Sequence, residues 1–383
     1  MFGKMLKRLF GTNDSSQAHT YTVTADYECI PVPEDLRCKG VEKLNPLQSC
    51  FMTKYNPDNN CVVVGKLGSG KSLIAFIACN CFLHIGKRAV FTAPMRELTR
   101  ELYELAVGIF GRQLVGLYNG TDKSIDGKVI VVATPEGYLS GLRGNREWAT
   151  SAELLVVDEG HNLCHPSRGA SLDAALTMFR LRGGKVLIMS ATFPQSREVS
   201  EHLNADLFLS EYERTKIIRK EIVAPDDLEA RVRPKVLTES MIDTGTGHTY
   251  NSYSVRLEEL RKLLAKEEGA SVIVFVPLII QGHCLSHALG APFHWRGADE
   301  EEKRAMMAGF RDGRIKTIIS TDTLGQGINT PCDATVIFGG RRGGYLLDSL
   351  DVNQKEGRGG RNKDRTKSFL LGDQWGVHCS LTT

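Results

Sequence analysis

Three short runs of residues have the types and spacing for chemistry on phosphate. The first, GKLGSGKS at 65–72, fits the pattern G-x-x-x-x-G-K-[ST] and lies between an apolar run at 61–64 and a helix-like stretch at 72–83. A strand, a loop and a helix in that order let glycines bring backbone N–H groups around a nucleotide's phosphates. Gly65, Gly68, Ser69 and Gly70 would form the cradle, Lys71 would meet the β- and γ-phosphates, and the Ser72 hydroxyl would hold Mg²⁺. The second run, LLVVDEG at 154–160, ends a strand-like stretch in Asp158 and Glu159. A carboxylate at the carboxyl end of a strand beside such a loop is placed to hold Mg²⁺. Asp158 would therefore ligate the metal through water, and Glu159 would polarise an attacking water. The third run, QKEGRGGR at 354–361, lies far down the chain. Its two arginines would suit the negative charge of phosphate.

The elements that must position these groups follow from periodicity. From Cys61 onward, β-branched runs (CVVVG, AVFTA, KVIVVAT, LLVVDEG, KVLIMSAT) alternate with helical patterns at 72–83, 96–109 and 170–179. A second series after about residue 215 runs SVIVFVP, then 281–289 and 299–310, then KTIISTD, ATVIFGG and KSFLLG. Apolar strands separated by helices imply parallel sheets covered on both faces. The two series read as two copies of one architecture, with the irregular, polar stretch at 223–254 containing the connection between them.

The chain of 383 residues suits two domains. A formal charge of +3 is nearly balanced, so nucleic-acid binding would have to come from a local surface. Ten cysteines without a C-x-x-C pair, several inside apolar runs, read as free thiols of a reducing, intracellular compartment. The longest mainly apolar stretches, 73–83 and 272–280, fall short of the roughly 20 residues of a membrane span. Residues 1–10 (MFGKMLKRLF) interleave apolar and basic residues at helical spacing and would suit docking on a recruiting protein partner or an anionic surface. The polar stretch at 11–17 reads as a linker.

DEGH at 158–161 and SAT at 190–192 resemble motifs II and III of superfamily 2 helicases, and the set continues in order. LNPLQ at 44–48 is similar to the adenine-reading Q motif, APMREL at 93–98 to motif Ia, and ATPEG at 133–137 to motif Ic. VIVFVP at 272–277 resembles motif IV, STDTLGQGINTP at 320–331 motif V, and QKEGRGGR motif VI. The forms TPE, G-x-N-x-P and Q-x-x-GR-x-GR, with HLNADLFLSEYER at 202–214, resemble the Ski2-like branch and within it the Hel308 type. The match covers roughly residues 40–370.

The resemblance implies an α/β chain of two tandem RecA-like domains, each a mostly parallel sheet with helices on both faces. Residues 1–40 would form an N-terminal arm, 41–212 the first domain and 213–383 the second. It implies ATP and Mg²⁺ as cofactors, with Gln48 pairing with the adenine edge. Gln354 would orient the attacking water, while Arg358 and Arg361 would reach the γ-phosphate as arginine fingers, a device worth about 10³- to 10⁵-fold in rate. Gly327 and Asn329 would face nucleotide and strand at once. Pro94, Arg96, Thr134 and Thr321 would lie near the phosphates of single-stranded or tailed duplex DNA, with RNA as the other polymer of this branch. His161, Ser190 and Thr192 would couple the two sites. Closure of the halves around ATP and their parting after hydrolysis would drive 3′ to 5′ movement, with a monomer as the working unit.

Some positions depart from the family's pattern. Gly160 replaces the commoner Ala or Val of DEAH or DEVH and is expected to be tolerated, since that position makes no catalytic contact. HWRG at 294–297 replaces HHAG, leaving Trp295 and Arg296 to stack on a base or to pack. VIFGGRRGGYLL at 336–347 suggests a short hairpin with Arg341 and Arg342 at its point and Tyr345 available for stacking. The family's accessory domains have no room before Thr383, so a minimal two-domain core is expected. His161, Cys164 and His165, or His283 and His287, have zinc-ligand types; His161 already belongs to motif II, and no third or fourth ligand is spaced to join the second pair. Two functions fit: an ATP-dependent helicase or single-strand translocase, and an ATP-gated clamp or remodelling subunit that does not separate strands. A ring-forming P-loop ATPase fits less well, since its arginine finger would come from a neighbouring subunit.

Overall fold

The computed structural model describes residues 18–36, 41–66, 68–120, 122–164, 169–191, 193–211, 216–223, 255–321, 324, 332–342, 345–347, 349–359 and 365–372. The chain divides into two compact units, Met1–Glu213 and Arg214–Thr383.

Unit 1 runs β1 (Thr20–Val23), α1 (Pro46–Lys54), β2 (Asn60–Val64), α2 (Lys71–His84), β3 (Arg88–Thr92), α3 (Arg96–Phe110), β4 (Val115–Tyr118), β5 (Lys123–Ser124) and β6 (Ile130–Ala133). It continues with α4 (Pro135–Arg143), α5 (Glu147–Thr150), β7 (Ala152–Val157), α6 (Gly169–Arg180), β8 (Lys185–Ser190), α7 (Ser196–Leu203) and β9 (Ala205–Ser210). Its sheet has the order β1-β9-β2-β8-β7-β3-β6-β4-β5, parallel throughout except that β5 pairs antiparallel with β4. Successive side chains of a strand point to opposite faces, and here both faces are covered. Cys61, Val63, Phe91, Val132, Val156 and Met189 pack with α1, α2 and α3, whereas Val62, Val90, Val131, Leu155, Val157 and Ile188 pack with α4, α6 and α7. A strand buried on both faces reads as a near-continuous apolar run, which is why these runs stand out in the sequence.

Unit 2 runs β10 (Lys216–Val223), α8 (Val255–Lys266), β11 (Val272–Phe275), α9 (Ile279–Leu289), β12 (Phe293–His294), α10 (Glu300–Arg311), β13 (Thr317–Ser320), β14 (Ala334–Phe338), β15 (Arg341–Arg342), β16 (Tyr345–Leu346), α11 (Ser349–Glu356) and β17 (Arg365–Gly372). The main sheet is β10-β17-β14-β11-β13-β12, all parallel. Val272, Val274, Val336 and Phe338 pack with α8 on one face, and Ile273, Phe275 and Ile318 pack with α10 on the other.

The structure departs from the sequence reading in four places. Residues 20–23, expected in the N-terminal arm, form a strand paired with β9, a partner far away in sequence that no local pattern announces. β10 already pairs with β17 over its full length, so the chain has entered unit 2 before the stretch at 223–254 in which the connection was expected. The first apolar arm of the expected hairpin is β14, a central strand of the second sheet. The hairpin itself is two residues per arm, Arg341 opposite Leu346 and Arg342 opposite Tyr345, so the arginines form an arm and not the tip. The expected helix at 1–10 and linker at 11–17 lie outside the described residues.

Candidate functional site

The candidate groups of unit 1 share one edge of its sheet, the carboxyl end of its parallel strands, where loops into helices expose backbone N–H groups. In strand order, β2, β8 and β7 deliver the phosphate loop, Ser190 and Asp158; β3, β6 and β4 deliver Pro94, Thr134 and Asn119. The Asp158 N–H donates to Thr92 O at 2.9 Å where the two groups of strands meet.

The phosphate loop is braced from α1. Asn45 caps that helix: its side chain accepts from the Gln48 N–H, the Gln48 amide oxygen accepts from the Asn45 N–H at 3.0 Å, and Pro46 supplies the preset φ of the first turn. The two residues then reach outward. Asn45 Nδ2 donates to Ser69 O at 2.8 Å, and Gln48 Nε2 donates to Gly70 O at 3.0 Å. Gly70 caps α2 at φ 73°, a left-handed conformation, and a Cβ there would stand 2.2 Å from Gln48 Nε2, so glycine is required twice over. Gln48 is buried, and this bracing of the loop, which motif spacing did not predict, occupies part of the amide assigned to adenine. Lys71 Nζ folds back onto the loop, donating to Gly65 O at 2.6 Å and Lys66 O at 3.3 Å. Ser69 Oγ is buried without a hydrogen-bond partner.

Glu159 follows in a left-handed conformation, φ 52°; the other two non-glycine residues with positive φ among those described are asparagines. Asn162 holds it, donating from N at 2.9 Å and from Nδ2 at 2.8 Å to Glu159 O. His161 Nδ1 hydrogen-bonds Ser190 Oγ at 3.0 Å and lies 3.3 Å from Glu159 Oε2, a buried oxygen that this proximity leaves without a hydrogen bond, and Ser190 O accepts from the Gly65 N–H at 3.1 Å. Carboxylate, imidazole, hydroxyl and phosphate loop are thus joined in one chain of contacts. Thr192 lies outside the described residues.

Along the other half of the edge, the Thr134 hydroxyl caps α4 by accepting from the Gly137 N–H at 3.1 Å. The Arg96 guanidinium lies over Gly120, and Arg100 pairs with Asp122 at 3.2 Å. In unit 2, Thr321 follows β13, its N–H donating to His294 O at 3.3 Å. Burial, and then the Lys303 charge, push the His294 imidazole down to about 4, so it is neutral at neutral pH. Trp295 packs: its ring stacks on Phe293 at 6.2 Å and meets His283 edge-on at 5.1 Å. Gln354 lies on α11, and Arg358 is buried, its carbonyl accepting from the Cys332 N–H at 3.3 Å. Gly327, Asn329 and Arg361 lie outside the described residues.

The DEAD/DEAH box helicase family matches residues 45–200, and the helicase conserved C-terminal domain matches residues 255–363. The chain is 28% identical over 370 residues to the ATP-dependent DNA helicase Hel308 of Pyrococcus horikoshii, covering 87% of this chain and 51% of that protein. It is 27% identical to the Hel308 of Pyrococcus abyssi, covering 86% and 50%; the chain therefore spans about half the length of these curated relatives. Among solved structures, S. cerevisiae Dbp5 bound to RNA and ADP BeF3 is similar with a TM-score of 0.65 at 19% identity, covering 84% and 82% of the two chains. The DUF1998 helicase MrfA bound to DNA gives 0.66 at 16% identity, covering 91% and 50%. These two share the fold of tandem RecA-like units. No helix among the described residues is long and apolar enough to cross a membrane. With one helicase family matching each unit and the two Hel308 proteins matching across both, the chain belongs to the superfamily 2 helicases and resembles their Ski2-like branch.

Proposed function

We propose that the chain couples ATP hydrolysis to 3′ to 5′ movement along single-stranded or tailed duplex DNA, working as a single chain. The observation that carries this reading is the continuous run of contacts from Glu159 through His161 and Ser190 to Gly65. It links a carboxylate suited to general-base work to the loop that would hold the phosphates. The donor set suits a nucleotide. Lys71 would exchange Gly65 O and Lys66 O for phosphate oxygens, and the partnerless Ser69 hydroxyl would gain a partner. Ser72 and Asp158 would hold Mg²⁺, which neutralises phosphate charge when bound. Glu159 would take the proton of the attacking water, and Gln354, Arg358 and Arg361 would act on the same nucleotide. Gln48 would read adenine with the amide valences it keeps free of the loop.

Pro94, Arg96, Thr134 and Thr321 are proposed to follow the sugar-phosphate chain without reading bases. DNA is preferred because the curated relatives are named as DNA helicases. The two-residue arms of the β15–β16 hairpin favour a second reading, tracking or clamping without strand separation. ATP turnover measured with and without matched single-stranded DNA and RNA, across salt, tests the motor. Stimulation that weakens as salt rises is expected, and no stimulation by either polymer sinks it. Lys71→Ala should abolish productive ATP binding, while Glu159→Gln should keep binding and cut turnover by about 10²-fold or more. Strand displacement on tailed duplexes then separates the helicase from the clamp.

A further inference from the structure

Glu356 is the only carboxylate in QKEGRGGR, and it closes α11 almost wholly buried, at 1% exposure. Its partner comes from the opposite end of unit 2. Arg219 on β10 donates from Nε to Oε1 at 2.8 Å and from Nη2 to Oε2 at 2.7 Å, and Nη2 also reaches Asn353 Oδ1 at 3.3 Å. A two-pronged guanidinium–carboxylate pair fixes direction as well as distance. It grips two residues one helical turn apart, so both the rotation and the tilt of the last turn of α11 are set from β10.

The turn that follows inherits that setting. Gly357 N–H donates to Asn353 O at 3.0 Å, Arg358 N–H to Lys355 O at 3.2 Å, and Gly359 N–H to Glu356 O at 3.0 Å. Arg358 thus leaves a helix end whose orientation Arg219 dictates. The frame closes on itself, because β17 begins at Arg365 just past the arginine run and pairs with β10, Arg219 standing opposite Ser368. Such a pair is weak evidence of stabilisation by itself, since buried ion pairs can often be replaced by apolar residues at no net cost; here only the Glu356 side is fully buried.

We infer that Arg219 is a positioning residue for Arg358, acting through Glu356. The inference rests on the ATP-hydrolysing reading above. The test uses the full chain in four forms: parent, Arg219→Met, Glu356→Met and the double Met variant. For each, polymer-stimulated kcat and KM for ATP, affinity for a non-hydrolysable ATP analogue and the thermal midpoint are measured. Arg219→Met should lower kcat about tenfold or more, as misplaced catalytic groups do, with analogue affinity within about twofold. The double variant should recover the thermal midpoint lost by either single change, since no buried charge is left unpaired, while its kcat stays low. A double variant that recovers kcat together with the midpoint would falsify the positioning role and leave a structural pair. Parental kcat in Arg219→Met overturns it equally, and if that variant does not fold the double variant still decides. A parent that hydrolyses no ATP removes the functional reading and this inference with it, whereas an active parent matched by its variants removes this inference alone.

Discussion

Glu159 carries a backbone conformation that costs of order 1–3 kcal/mol for a residue with a Cβ, held by two donors from Asn162. Its carboxylate lies 3.3 Å from His161, so the residue proposed as general base sits at a strained point of the backbone. Gly160, expected to be tolerated in place of Ala or Val, fits here for a packing reason as well. A Cβ there would stand 2.2 Å from Ile188 Cγ2 on β8, two residues before Ser190. Gly160→Ala should therefore overpack this contact at about 1–3 kcal/mol and displace Ser190 from His161. Pairing it with Ile188→Ala should restore ATP turnover that the single change lowers. A double-mutant cycle on turnover and melting checks this, with strict additivity as the contrary result. Lys71, Asp158 and Glu159 could be proposed from the sequence because the chemistry asked of them fixes type and spacing together. The Gly160–Ile188 fit could not, since it depends on which side chains two strands bring face to face.

Among the elements, α1 holds a position that its sequence only half announces. Asn-Pro before an apolar stretch signals a helix start, but nothing local says that the capping pair also grips Ser69 and Gly70. Asn45→Ala should cost about 0.5–2 kcal/mol as a lost cap and, by freeing the Ser69 carbonyl, weaken ATP-analogue binding as well. Isothermal titration beside thermal melting checks both, and a stability loss with unchanged affinity would confine Asn45 to capping. The central strands were readable because burial on two faces demands unbroken apolar runs. β1, β9 and β10 were not, because they are recruited to the sheets by partners far away along the chain. ATVIFGG read as a strand and as a hairpin arm at once, and pairing with both β11 and β17 decides for the central strand.

For the molecule as a whole, each unit carries its own sheet and cores, so pH can act on unit 2 through a group of its own. His294 has its imidazole held down at about 4 against 6.5 when unfolded. Between those values the unfolded chain binds the proton and the folded one does not. Stability contributed here is intact above pH 6.5 and declines as pH falls toward 4, by about 3 kcal/mol at most. Thermal midpoints across that window should fall for the parent and fall less for His294→Gln; equal slopes would remove His294 as the cause. The groups packed against it, Lys303 and Glu300, are the ones to hold constant.

The division of the first sheet's edge, with β2, β8 and β7 on one side and β3, β6 and β4 on the other, has an evolutionary reading. Loops after the second set can lengthen, shorten or change charge while the phosphate loop, Ser190 and Asp158 keep their strands. On the proposed function, the half-edge that would hold the nucleotide and the half-edge that would meet the polymer could then change independently, three loops at a time.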